Sequence, residues 1–214
     1  MDCQREVIEQ LSRWYSGDIH DCLDKLGVWG AIEGLSLYGN LPPAGKICGP
    51  ATTVQFVPCR AKVTSSRYHR AIDEAPPGGI LVVDTAGAKG SCTGELMCTG
   101  ARHHGASGTI VNGTIRDLAE IEALGDYPVY AAGVLPITAV GRMEDIAINV
   151  DIEIKGIRIQ PGDIVFADRD GVVIIPKDAA PAVAQMAQCL GTLERNFKQQ
   201  ILGGVPLVEV FKDV

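Results

Sequence analysis

Gly79-Ile80-Leu81-Val82-Val83-Asp84 is an unbroken apolar run of strand length, preceded by Pro76-Pro77-Gly78 and closed by an acid. A strand with one wet face alternates polar and apolar residues. A strand with no alternation is buried on both faces, inside a layered α/β protein. Gly108-Thr109-Ile110-Val111 repeats the pattern. Between the two runs, Thr93 to His104 has helical texture, with Ser91 or Thr93 as the expected cap and Gly105 as the stop. The centre of the chain therefore reads as buried βα units.

Working outward, residues 1–15 supply an N-terminal helix, regular over 4–15. Ser16 or Asp18 is expected to cap a second helix that runs to Lys25-Leu26 and stops at Gly27. Residues 28–45, rich in Gly, Pro and Leu, read as loop, 51–57 as a strand, and 66–74 as a short helix. On the other side, Asn112-Gly113 is a turn signal, 118–124 a short helix, and 129–131 and 134–140 strands. The texture then becomes all-β. Strands are expected over 147–150, 152–159, 163–167 and 172–175, with Pro161-Gly162-Asp163 and Asp168-Arg169-Asp170-Gly171 as separators. A long amphipathic helix follows over 178–200. The expectation is one mixed α/β domain over 1–214, with antiparallel strands late in the chain and helices at both ends.

At 214 residues with 46% hydrophobic and 21% charged residues, the chain has material for a sizeable core. No apolar run approaches the ~20 residues of a membrane span, and the charged start MDCQREVIEQL lacks a signal-peptide pattern. A soluble, cytoplasmic protein is expected. A net charge of −7 argues against nucleic acid as a partner. Seven scattered cysteines, an odd count without a CxxC pair, read as reduced thiols and not as a disulfide framework or zinc site.

Chemistry concentrates in two short stretches, Gly94-Glu95-Leu96 and Arg116-Asp117. Two carboxylates and a guanidinium on strand–helix junctions suit a small anionic substrate and a hard metal ion. Each acid also has a plainer reading. Asp117 could cap a helix, and Glu95 could be an ordinary first-turn acid. Arg116 is harder to dismiss, because a cation at a helix N-terminus gains from an anionic partner. Gly87, Gly90 and Gly94 surround Lys89 in a loop between strand and helix. The pattern is neither GxGxxG nor a P-loop, so nucleotide binding is not indicated. Lys89 is either a solvated loop lysine or a Schiff-base nucleophile. His103-His104 and His20 with Asp21 and Asp24 read as surface or structural groups. Arg67, His69 and Arg70 suit either the surface or a second substrate carboxylate.

The order Pro77-Gly78-Gly79-Ile80-Leu81-Val82-Val83-Asp84, Gly94-Glu95-Leu96, Gly108-Thr109-Ile110-Val111-Asn112-Gly113-Thr114-Ile115-Arg116-Asp117 and Pro161-Gly162-Asp163-Ile164-Val165-Phe166-Ala167-Asp168-Arg169-Asp170-Gly171-Val172 resembles one family. It is the family shared by the ribonuclease E regulator RraA and the class II 4-hydroxy-4-methyl-2-oxoglutarate aldolases, and the resemblance covers roughly 16–205. It implies a swivelling β/β/α fold, assembled as a homotrimer or homohexamer with sites between subunits. It implies that Arg116 binds the pyruvoyl end of a 2-oxo acid and stabilises the enolate. Asp117 would hold Mg²⁺ or Mn²⁺, and Glu95, where the family often has Asp, would orient metal-bound water or move a proton. Gly94 with the backbone N–H groups of Leu96 and Met97 would fix the substrate anion, and Glu194 would come from a neighbouring chain. The implied activity is a divalent-metal-dependent pyruvate aldolase cleaving 4-hydroxy-2-oxo acids, with oxaloacetate decarboxylase activity. The alternative is a non-catalytic regulator that binds ribonuclease E through a protein interface. No glycine-rich loop suits S-adenosylmethionine, so the methyltransferase label given to some such sequences does not fit.

Overall fold

A computed structural model describes residues 2–63 and 65–212, with Asp2 and Cys3 described in their backbone only; the side chain of Cys3 lies outside the described residues. Helices α1 (Asp2–Leu11) and α2 (Ser16–Lys25) lead into strands β1 (Ala31–Ile32), β2 (Ser36–Gly39) and the long β3 (Lys46–Pro58). Then come α3 (Ser66–Asp73), β4 (Ile80–Asp84), β5 (Ser91–Thr93), α4 (Glu95–His103), β6 (Gly108–Ile115), α5 (Leu118–Ala123) and β7 (Pro128–Val134). The remainder is β8 (Met143–Ile148), β9 (Ile152–Ile154), β10 (Ile157–Ile159), β11 (Ile164–Asp168), β12 (Val172–Ile175), α6 (Ala180–Leu202) and α7 (Leu207–Val210).

The main sheet runs β1-β12-β11-β3-β4-β6-β7-β2, with β5 added to β6 and β8 to β3. Strand β3 belongs to both halves. Its first residues pair antiparallel with β11, from Lys46 opposite Asp168 to Pro50 opposite Ile164. Its second half pairs parallel with β4, from Ala51 opposite Ile80 to Gln55 opposite Asp84. The parallel set β3-β4-β6-β7 carries α3, α4 and α5 in its connections, whereas the antiparallel pairs β9–β10 and β11–β12 are joined by tight turns.

Side-chain alternation divides the core into three clusters. Leu81, Val83, Val111, Val129 and Ala131 point to the α3–α5 side and meet Tyr68, Ile72, Cys98 and Ile121. Ile80, Val82, Ile110 and Tyr130 point the other way, onto the β9–β10 hairpin and the inner residues Val165, Ala167, Val172 and Ile174. The outer residues Ile164, Phe166, Val173 and Ile175 pack under Leu11, Ile19, Leu23 and Val183 of α1, α2 and α6. All five residues of β4 are buried, as the unbroken apolar run requires. Sheet, sheet and helices therefore stack as a β/β/α architecture, in agreement with the expected fold class.

Several local expectations are corrected. Asn112-Gly113 does not turn the chain, because β6 continues through both residues. The glycine serves close approach instead: an added Cβ would lie 2.6 Å from the Thr85 methyl carbon. Residues 152–159 are a hairpin, turned at Lys155 (φ 52°) and Gly156 (φ 82°), both left-handed as a tight hairpin turn demands. The 28–45 stretch holds the two short strands β1 and β2. Residues 135–140 form a loop, tied to β5 by the Ser91 N–H to Ile137 O and Ala139 N–H to Ser91 O bonds. The first helix stops at Leu11, and the long helix α6 spans Ala180–Leu202 and not 178–200. Helix α2 has Tyr15 at its N-cap, because the Ser16 N–H and hydroxyl both donate to the buried Asp168 carboxylate, at 2.9 and 2.8 Å. Among the described residues no helix is long and apolar enough to cross a membrane.

Candidate active site

The two sequence stretches meet at the ends of β5 and β6. These strands pair in parallel, Thr93 beside Ile115, and the Arg116 N–H donates to the Thr93 carbonyl at 3.1 Å. One residue beyond Thr93 is Gly94, the N-cap of α4. The expected caps are used elsewhere: the Thr93 hydroxyl bonds Tyr68 Oη at 2.9 Å, and the Ser91 hydroxyl donates to Leu135 O. With glycine at the N-cap there is no side chain to occupy the first-turn N–H groups of Glu95, Leu96 and Met97, and they stay open at the positive end of the helix.

Arg116 and Asp117 close over this helix end. An added Cβ on Gly94 would stand 2.5 Å from Asp117 Oδ2 and 3.2 Å from Arg116 Cγ. A side chain there would push the Asp117 carboxylate aside, and the ordinary φ of −145° shows that backbone freedom is not the reason for glycine. Asp117 Oδ2 lies 3.4 Å from Arg116 Nε as an ion pair, and the two side chains remain 43% and 42% exposed.

Asp117 occupies the N-cap position of α5, but its side chain makes no capping bond. It adopts the left-handed region at φ 61° and ψ 44°, which costs a non-glycine residue free energy. The strained backbone turns the carboxylate away from its own helix and toward Gly94 and Arg116. Glu95, half-buried in the first turn of α4, accepts the Thr99 hydroxyl at 2.7 Å through Oε1. Both carboxylates lie near Cys98, whose thiol is pushed up to about 12 by burial first, then by Glu95 and Asp117.

Glu95, Leu96, Met97, Gly94, Arg116 and Asp117 are thus brought together, and Glu194 is not. It lies on α6 in the α1–α2–α6 layer, lining a cleft of about 740 Å³ with Asp21, Asp24, Leu193 and Phe197. Burial, then the Asp18 and Asp21 charges, raises its pKa. Arg67 donates to the Asp145 carbonyl at 3.0 Å, Arg70 lies 3.9 Å from Glu74 within α3, and His104 lies 3.4 Å from Asp73. None of these is drawn into the Gly94 site. Among the described residues no three His, Cys, Asp or Glu side chains gather as a metal cage. A single carboxylate facing open space is the donor set that Mg²⁺, which keeps most of its water, accepts.

The sequence did not disclose a buried network at the end of β4. Asp84, buried at the end of β4, accepts Asn112 Nδ2 and Gln55 Nε2, each at 2.8 Å, and the Ala86 N–H at 3.1 Å. The network ties together the C-terminal ends of β3, β4 and β6, where parallel sheets place their functional loops. Its one visible signal was an acid at the end of a fully apolar run.

Residues 16–174 match the RraA-like family, described as Aldolase/RraA, and the chain belongs to that family. It is 32% identical over 217 residues to the DlpA protein of Legionella pneumophila, covering 99% of this chain but 34% of DlpA, so it spans about a third of that relative. It is 35% identical over 166 residues to a Halalkalibacterium halodurans protein provisionally named 4-hydroxy-4-methyl-2-oxoglutarate aldolase, covering 74% of this chain and 75% of that one. Among solved structures, RraAS2 of Streptomyces coelicolor, described as an unusual member of the RNase ES inhibitor RraA family, superposes with a TM-score of 0.83 at 30% identity. The match covers 91% of this chain and 98% of that one. An uncharacterized Pseudomonas syringae protein gives the same TM-score at 28% identity, over 96% of both chains.

Proposed function

We propose that the protein is a divalent-metal-dependent pyruvate aldolase that cleaves 4-hydroxy-2-oxo acids of the 4-hydroxy-4-methyl-2-oxoglutarate type and decarboxylates oxaloacetate, in the cytoplasm. One observation carries this reading. The glycine-capped end of α4 is roofed by a guanidinium and a carboxylate so closely that a methyl group at Gly94 would push the carboxylate aside. The open amides of Leu96 and Met97 receive the substrate carboxylate. Arg116 pairs with the pyruvoyl end and balances the charge that grows there as the C3–C4 bond breaks. Glu95 takes the 4-hydroxyl proton, the carbonyl product leaves, and the remaining enolate regains a proton at C3 to become pyruvate. With oxaloacetate the same bond releases carbon dioxide and leaves the same enolate. Asp117 would hold Mg²⁺ or Mn²⁺, which when bound supplies electrophilic stabilisation of the 2-oxo oxygen. The half-exposed pair leaves one chain's site open to solvent. We assign the missing wall to a homotrimer or homohexamer in which Glu194 of the partner subunit approaches the site.

The test follows pyruvate release from oxaloacetate with Mg²⁺ present. EDTA is expected to abolish turnover, and Arg116→Ala to lower kcat by about 10²–10³-fold, the usual cost of losing one group that stabilises developing charge. Full turnover in EDTA or in Arg116→Ala would overturn the proposal.

A second reading rests on a different surface. Leu193 and Phe211 are 44% and 47% exposed on α6 and beside α7, with Asp21, Asp24 and Glu194 alongside. Lys25 and Lys198 line the same cleft, so the face is apolar with a mixed-charge rim, and a regulator of ribonuclease E would use such a surface. Retention of purified ribonuclease E by the wild-type protein, lost in Leu193→Asp, would favour it.

A further inference from the structure

Away from the Gly94 site, three loops bring basic side chains together in a protein whose net charge is −7. Arg60, Lys89 and Arg142, with Pro58, Cys59 and Gly141, line an open cleft of about 470 Å³. Lys62 borders it, since an added Cβ on Gly141 would stand 3.9 Å from Lys62 Cγ. Among the described residues no carboxylate lines the cleft. Among the described residues none of these four cations is in an ion pair, although the same chain pairs Arg5, Arg70, Arg116, Arg158 and Lys212.

The cleft is held in shape by its own backbone. The Arg142 guanidinium donates through Nη1 to the Thr138 and Val140 carbonyls, both at 3.2 Å, which fixes the side chain and leaves its other N–H groups free. The Cys59 N–H donates to the Arg142 carbonyl at 2.9 Å, locking the 58–62 loop to the 138–142 loop. Gly90, at φ 119°, lets the Lys89 loop press against the same segment, and an added Cβ there would meet Thr138 O at 2.8 Å and Arg142 Cδ at 3.2 Å. Like charges so close repel one another, and a counter-charge relieves that repulsion. Two guanidinium forks and two ammonium groups match oxygen atoms bearing two or three negative charges.

We propose that this cleft is a binding site for a small multivalent oxyanion, a polycarboxylate or a polyphosphate. Its lining shares no residue with the Gly94–Arg116–Asp117 site, and the assignment stands whether or not that site is catalytic. The test is calorimetric titration of the full chain, at low ionic strength and without added metal, with citrate in one arm and pyrophosphate in the other. One ion per chain is expected in at least one arm, with affinity falling as salt rises. The arm that binds identifies the source of the oxygen atoms. Arg60→Gln and Lys89→Gln remove two charges from side chains that make no hydrogen bond in the structure, so folding is expected to be intact, checked by an unchanged Tm. The double variant is expected to weaken binding at least tenfold, while Arg116→Ala leaves it unchanged. No heat in either arm, equal binding by the double variant, or loss of binding in Arg116→Ala would each overturn the assignment.

Discussion

Strand β4 and the junction that begins at Gly94 are near neighbours in the chain, and they differ in almost every physical respect. All five residues of β4 are buried, and its apolar side chains fill two clusters at once. The junction leaves amides unpartnered at the start of α4, holds Asp117 in a left-handed conformation, and keeps Arg116 and Asp117 more than two-fifths exposed. Local stability is concentrated in the first region, and local strain with open hydrogen-bonding capacity in the second. Strain of this kind persists only where the surroundings over-determine it. Here the Arg116 N–H bond to Thr93 supplies that support.

The contrast can be broken or sharpened by three substitutions. Leu81→Ala removes a fully buried side chain from β4 and is expected to lower unfolding stability by about 2–5 kcal/mol, read from urea denaturation. A loss under 1 kcal/mol would mean that β4 is not the anchor described. Gly94→Ala is the reverse case. Its backbone angles suit alanine, so stability is expected to change by less than about 1 kcal/mol, whereas the new methyl group displaces Asp117 Oδ2. Turnover of oxaloacetate is expected to fall about 10²-fold, in line with the cost of misplacing a reacting group by an ångström. Unchanged turnover would show that the close approach is packing alone. The smallest effect is expected at Glu194, which titrates above the usual carboxylate range because of burial and then the Asp18 and Asp21 charges. Its ionised form is the disfavoured one in the fold. The penalty is therefore present above its raised folded pKa and disappears as pH falls below the ordinary carboxylate value. Glu194→Gln is expected to be slightly more stable than wild type at neutral pH, with the difference vanishing in acid. A constant difference across pH would rule out the charge explanation.

The β/β/α layering was legible because β4, β6, β11 and β12 carry apolar residues on both faces, and period-two burial leaves that mark directly in sequence. The strands β1 and β2 were hidden in a Gly- and Pro-rich stretch, because edge strands this short are specified by their partners β12 and β7 rather than by propensity. Asn112-Gly113 misled for a related reason. A strong local turn signal lost to tertiary packing, since Gly113 is small to admit Thr85 and Asn112 extends to bond Asp84. At the site, Glu95, Arg116 and Asp117 were legible as residue types at strand–helix junctions, but their mutual geometry was not. The plain expectation that Asp117 caps a helix gave the right position and the wrong orientation, because the side-chain direction depends on a left-handed backbone that no spacing rule encodes. The unpaired cations of the 58–62, 86–90 and 138–142 loops were invisible for the same cause. They are far apart in sequence and meet only through Gly90 and the Cys59–Arg142 backbone bond.

The dual membership of β3 bears on how the molecule comes apart. Thirteen consecutive residues carry the antiparallel ladder to β11 on their first stretch and the parallel ladder to β4 on the next, so one continuous strand joins the two wirings inside the main sheet. Melting of the parallel and antiparallel portions is thereby linked, and calorimetric and van't Hoff enthalpies should coincide in a single transition. A one-residue deletion within Lys46–Pro58 would turn inward-facing side chains outward on both sides at once, which makes this strand the least forgiving length in the chain.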